Sequence, residues 1–99
     1  MIIRSQDREK IVNLNNITRI DIENGRDGMN VWASNMGITS LLGTYSTEEK
    51  AIKVLDMIQQ EYGRHFYGQG GQMATADIYI QPFAFIPPKV FQMPQDSEV

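Results

Sequence analysis

The feature that most restricts this chain is the pentapeptide NGRDG at 24–28, set between two stretches that alternate apolar and polar residues. Asn-Gly and Asp-Gly accept positive φ at little steric cost, so they favour a tight reversal and a hairpin. Upstream, ITRIDIE puts Thr18, Ile20 and Ile22 on one face and Arg19, Asp21 and Glu23 on the other. Downstream, MNVWAS puts Met29, Val31 and Ala33 on one face and turns Trp32 to the other, among polar neighbours. Period two with β-branched residues marks half-buried strands. A second turn, NMG, leads into ITSLLGTY, a further strand.

The pattern extends to both sides. Ile2 and Ile3 begin a short strand, SQDREK is turn-like, and KIVNLNN answers it. Asp7, Arg8, Glu9 and Lys10 form a solvated tip on that hairpin. After the meander, Ser46 and Glu49 fit a capping box. Ala51, Ile52, Leu55, Ile58 and Tyr62 follow at helical spacing, widened by Val54. Gly63 is a natural stop, so the spacing predicts a helix over 47–62. ADIYIQPFAF alternates again, with Pro82 confining it to a sheet edge or breaking it. KVFQM reads as a last short strand or docked arm, and PQDSEV as a frayed acidic tail.

These elements define an expected α+β domain over residues 1–93 and a flexible tail over 94–99. Its architecture is an antiparallel β-meander of five to six strands packed by one long amphipathic helix, with a C-terminal strand or arm. Ninety-nine residues suit one domain, and a chain of that size buries about 60–70% of its unfolded surface. The absence of cysteine excludes disulfides, thiolate zinc sites and cysteine nucleophiles, and fits a reducing cytoplasm. The opening MIIRSQDREK turns polar too early for a signal peptide, and no apolar run nears the ~20 residues of a membrane span. A net charge of −3 argues against duplex nucleic acid as the partner.

Function is sought in EYGRHFYGQGGQM, residues 61–73. Gly68, Gly70 and Gly71 let backbone N–H groups approach a phosphate, but the segment lacks the Lys-Ser/Thr of a P-loop and the strand-then-helix order of a dinucleotide fingerprint. Slack linker and ligand-responsive loop both remain open readings. His65 has no Ser, Thr or Asp partner at a diagnostic spacing, so it reads as a surface histidine near a helix end. Arg64 beside Phe66 and Tyr67 is what a nucleotide needs: charge for phosphate and a flat face for a base. Lys89 and Phe91 extend that set. Trp32, Tyr79, Phe83 and Phe85 supply more aromatic surface than one helix covers, and are assigned to an interface with a second subunit. No cofactor, metal-ligand spacing or acid/base dyad is recognised.

Three stretches, MIIRSQDREKIVNLNN, LGTYSTEEKAIKVLDMIQ and VFQMPQDSEV, together resemble a family of small proteins from low-GC Gram-positive bacteria and their prophages. The order of meander, helix and C-terminal arm also resembles the phage anti-Thoeris sponge family. That resemblance implies a non-enzymatic protein in the host cytoplasm. It would sequester a cyclic-ADP-ribose-like or cyclic oligonucleotide signal, without cleaving it, in pockets formed by a homodimer or higher homo-oligomer. The overall acidity departs from that pattern. The alternatives are a protein-binding inhibitor such as an anti-CRISPR, whose acidic surface covers a basic groove, or a non-catalytic structural or regulatory protein.

Overall fold

A computed structural model describes the backbone of residues 1–73 and 89–99 and the side chains of 1–63 and 89–99. The expected α+β class is found. Its strands are divided between two three-stranded sheets.

One sheet is the meander: β3 (Arg19–Asn24), β4 (Met29–Asn35) and β5 (Ile38–Tyr45), all antiparallel. NGRDG closes its first hairpin, with Gly25 N–H donating to Gly28 C=O at 2.7 Å. Gly28 takes φ 141°, and a Cβ there would lie 2.5 Å from the Tyr45 carbonyl oxygen, so glycine is needed on both counts. Met36 and Gly37 close the second hairpin, both at positive φ, as a two-residue turn matched to strand twist requires. The register slips between Val31, opposite Gly43, and Trp32, opposite Leu41. That bulge turns Leu42 and Gly43 toward the core together.

The other sheet, ordered β2-β1-β6, joins the two ends of the chain. β1 (Ile2–Arg4) pairs antiparallel with β2 (Ile11–Asn13) and parallel with β6 (Val90–Gln92). Its connector is held by Asp7. Ser5 Oγ donates to Asp7 Oδ1 at 2.5 Å and Glu9 N–H to the same oxygen at 2.9 Å. The Ser5 hydroxyl and the Glu9 amide, with Lys10 nearby, hold the Asp7 carboxyl below its usual range. Gln6 stitches the sheets together. Its N–H donates to Leu42 C=O at 2.7 Å, and its side-chain amide exchanges hydrogen bonds with the Thr44 backbone at 2.9 and 3.1 Å.

Helix α1 runs from Glu48 to Met73. Its cap is Thr47, whose Oγ1 accepts from Lys50 N–H at 3.1 Å. Ser46, the expected cap, instead donates from both N–H and Oγ to Asp96 Oδ1 at 2.8 and 3.1 Å. The helix does not stop at Gly63. A glycine costs about 1 kcal/mol in a helix without forbidding it, and a Cβ at Gly63 would meet nothing. The glycine-rich stretch 63–73 is therefore helical backbone, not loop. Ala51, Val54 and Ile58 form the buried stripe, while Ile52 turns outward at 44% exposure.

The core gathers Met1, Ile3, Val31, Ala33, Leu42, Tyr45, Ala51, Val54, Ile58, Phe91 and Met93. Each large side chain buried there contributes roughly 1.5–3 kcal/mol. Tyr45 donates to the Pro94 carbonyl at 2.7 Å. The ending expected to fray is tied down: Gln95 Nε2 donates to Gln6 C=O at 2.8 Å, and Lys50 Nζ to Asp96 C=O at 2.9 Å. Val99 packs against the core.

Candidate binding face

The alternation that buries Val31 and Ala33 and packs the partly buried Ile20 and Ile22 against the core presents the opposite residues on the outer face of the meander sheet. The register aligns Arg19 with Ser34 and Thr39, and Asp21 with Trp32 and Leu41. Arg19, Asp21, Glu23, Trp32, Ser34 and Thr39 line a hollow of about 240 Å³. It continues into a wider one of about 610 Å³, lined by Thr18, Arg19, Ser34, Met36, Gly37 and Thr39. Arg19 alone carries charge among the residues lining the wider hollow. At the narrow end its Nε lies 3.1 Å from Asp21 Oδ2, with 70% and 44% of the two side chains exposed. Such a pair is screened and contributes about 0–1 kcal/mol, so it leaves the guanidinium available to other acceptors.

Trp32 is half-buried, and its Nε1–H is enclosed without an acceptor among the described residues. An enclosed donor with no partner costs about 1–3 kcal/mol, which makes it the least satisfied polar group of this face. Ser34 is nearly buried at 9% exposure. Its carbonyl accepts from both the N–H and the Oγ1 of Thr18, each at 2.9 Å.

On the inner side, Leu14, Ile17, Ile20, Leu55, Ile58 and Tyr62, with Gln59, line an apolar groove of about 400 Å³ between β3 and α1. Among the described residues, β3 has one strand neighbour, and its other edge, beside this groove, is paired with none of them.

Of the residues expected to form a site around the helix end, Phe91 and Lys89 are taken up elsewhere. Phe91 points inward from β6 and is 7% exposed, because Val90 and Gln92 take the outward positions of that short strand. It is core, not a stacking platform. Lys89 forms an ion pair with the Glu61 carboxylate. Gly70 and Gly71 belong to the α1 backbone. The side chains of Arg64, Phe66 and Tyr67, with His65, lie outside the described ones, as do Tyr79, Phe83 and Phe85 and the strand expected at 76–85. Trp32 sits on the outer sheet face, as its parity implied. Arg19, Thr18, Ser34 and Thr39 were not singled out. Their signal was present in the same alternation that set Trp32 apart, but only the register brings them beside it.

Among the described residues, no group of three or more His, Asp or Glu side chains could hold a metal ion, and no helix is long and apolar enough to cross a membrane. No family model, curated protein or solved structure matches the chain.

Proposed function

We propose that this protein acts by occupancy, capturing a nucleotide-type signal on the outer face of the meander sheet and holding it without cleavage. In the phage and prophage setting implied by the sequence resemblance, that capture in the host cytoplasm evades an immune response. The observation that carries the reading is the meeting of one indole, one guanidinium and the two hydroxyls of Ser34 and Thr39 along two hollows that share Arg19, Ser34 and Thr39. The half-buried Trp32 ring offers a flat apolar face for a base. Arg19 with Ser34 and Thr39 offers donors to phosphate oxygens, while the Thr18 hydroxyl proton stays on the Ser34 carbonyl. Asp21 and Glu23 rim the narrower end and repel anions. They orient the ligand with its phosphate toward Thr18 and Gly37 and its ring toward Trp32.

A protein partner is the second reading. Met36 and Ile38 are 89% and 74% exposed at the tip of the β4–β5 hairpin, and Asp21 and Glu23 lie on the same sheet. Together they suit a partner with a basic, partly apolar groove. Calorimetry and thermal shift against a panel of cyclic nucleotides separate the two. Capture predicts saturable binding and a rise in melting temperature, both weakened by Arg19→Ala, with the nucleotide recovered intact after heat denaturation. Absence of binding across the panel favours the protein-partner reading.

A further inference from the structure

We infer that two copies of this chain pair antiparallel through their β3 edges, with Ile20 on the two-fold axis, to form a continuous six-stranded sheet. This stands on the edge and groove alone and does not depend on the ligand reading.

The geometry begins with the hairpin. The Gly25–Gly28 hydrogen bond fixes which residues bond across to β4. Antiparallel bonding alternates, so Glu23, Asp21 and Arg19 bond inward to β4, and the N–H and C=O groups of Ile20 and Ile22 point off the open edge. These backbone groups, without a partner among the described residues, lie beside the apolar groove that Ile20 itself helps to line. An open edge beside an apolar groove suits an added strand. The backbone supplies the hydrogen bonds, and alternate side chains enter the groove.

Charge selects the second copy and its register. Residues opposite each other in an antiparallel pair share a face, so only registers that match odd with odd and even with even are admissible. Centring the pair on Asp21 sets that carboxylate against its own copy. Centring it on Ile22 sets Asp21 against Glu23 twice. Centring it on Ile20 sets Arg19 against Asp21 twice on the outer face, and Ile20 against Ile20 on the inner one. Opposite charges directly across a pair stabilise it and like charges oppose it, so the third register is selected. Thr18 N–H is already turned inward to Ser34 C=O. The bonds across the axis therefore come from Ile20 to Ile20 and from Ile22 N–H to the Thr18 carbonyl. The two apolar grooves meet on the inner side and cover one another. Arg19 has five donors, enough to face the partner's Asp21 and still present N–H groups to the hollow.

The test uses light scattering on the full chain, whose single-copy mass is 11.3 kDa. The natural protein is expected at twice that mass. R19D and D21R, each folded by circular dichroism, are expected at the single-copy mass. Their equimolar mixture is expected to return to twice that mass, because each charge then faces its opposite. The chain has no cysteine, so single-cysteine variants give a second, independent reading. Cα atoms of a hydrogen-bonded antiparallel pair lie about 5.5 Å apart, within reach of a disulfide. Ile20→Cys is expected to link two copies on oxidation, and Ile22→Cys is not. A natural protein at the single-copy mass at every concentration overturns the inference and assigns the groove to another occupant, a different protein or residues 74–88. A double mass unaffected by R19D, or linkage through Ile22→Cys instead of Ile20→Cys, overturns the register.

Discussion

The two sheets of this protein are built by opposite means. The meander sheet joins β3, β4 and β5 through two tight hairpins, so every pairing is between sequence neighbours. The other sheet takes β1 and β2 from the beginning of the chain and β6 from its end, with Ile2 beside Val90. Among the described residues, local pairing leaves the meander with an outer face and an edge without a strand neighbour, and those carry the hollow and the proposed contact between copies. Pairing of the chain ends leaves the second sheet with a closing role. Phe91, Met93 and Pro94 complete the core from its side. The fold thus separates closure from the proposed recognition, and substitutions in the two sheets are expected to differ in kind.

The largest effect is expected on the closing side. Phe91→Ala removes a ring from the core and is expected to cost about 3–5 kcal/mol in urea unfolding. A stability change below 1 kcal/mol would mean that β6 docks only loosely, and the division between the sheets would fail. Ending the chain after Met93 comes next. It removes the Pro94 carbonyl and leaves the Tyr45 hydroxyl enclosed without its acceptor, a loss of about 1–3 kcal/mol before the Asp96 contacts are counted. Tyr45→Phe is milder, about 1 kcal/mol, because Pro94 C=O still accepts from Gln6 Nε2 at 3.3 Å.

Titration sharpens the same side. Burial, with the Asp96 and Glu98 carboxylates nearby, raises the Tyr45 pKa well above its ordinary 10.0. The unfolded chain then ionises at lower pH than the folded one. Tyr45 stabilisation is complete below pH 10 and is lost as pH climbs through the folded value. Tyr45→Phe is expected to flatten the fall in stability above pH 10. At the acid end, the Ser46 amide, the Ser46 hydroxyl and Lys50 lower the Asp96 pKa below 3.8. Its contribution is present above that value and is lost as pH falls through the folded pKa. Asp96→Asn is therefore expected to melt earlier at neutral pH, with the difference vanishing in strong acid.

The smallest stability effect is expected on the meander's outer face. Trp32→Phe narrows the aromatic face and removes an N–H that has no acceptor among the described residues. Its melting temperature should be unchanged or slightly raised, while nucleotide capture falls. Loss of stability with no loss of capture would move Trp32 to the closing side of the comparison.

What the sequence revealed divides along the same line. The NGRDG and NMG turns and the alternation around them are local signals, and they placed the meander and the outward Trp32 correctly. The parallel β1–β6 pair has no local signal, since it depends on the two chain ends meeting. The tail read as frayed because its anchors lie far away in sequence: Asp96 meets Ser46, and Pro94 meets Tyr45. Glycine at position 63 read as a helix stop because propensity is a weak prior, overridden where the backbone stays helical and the position is open. Phe91 and Lys89 were assigned to a ligand site by residue type alone. Strand parity sent Phe91 inward, and Glu61 paired with Lys89.

The central claim is that the hollow beside Trp32 binds. The chain has one tryptophan, so its emission reports on that hollow alone. Titrating a panel of cyclic nucleotides into the natural protein should change the intensity or wavelength of Trp32 emission saturably for at least one member, and Arg19→Ala should shift that curve to higher concentration. Emission that stays constant across the panel, or a saturable change identical in Arg19→Ala, contradicts the account.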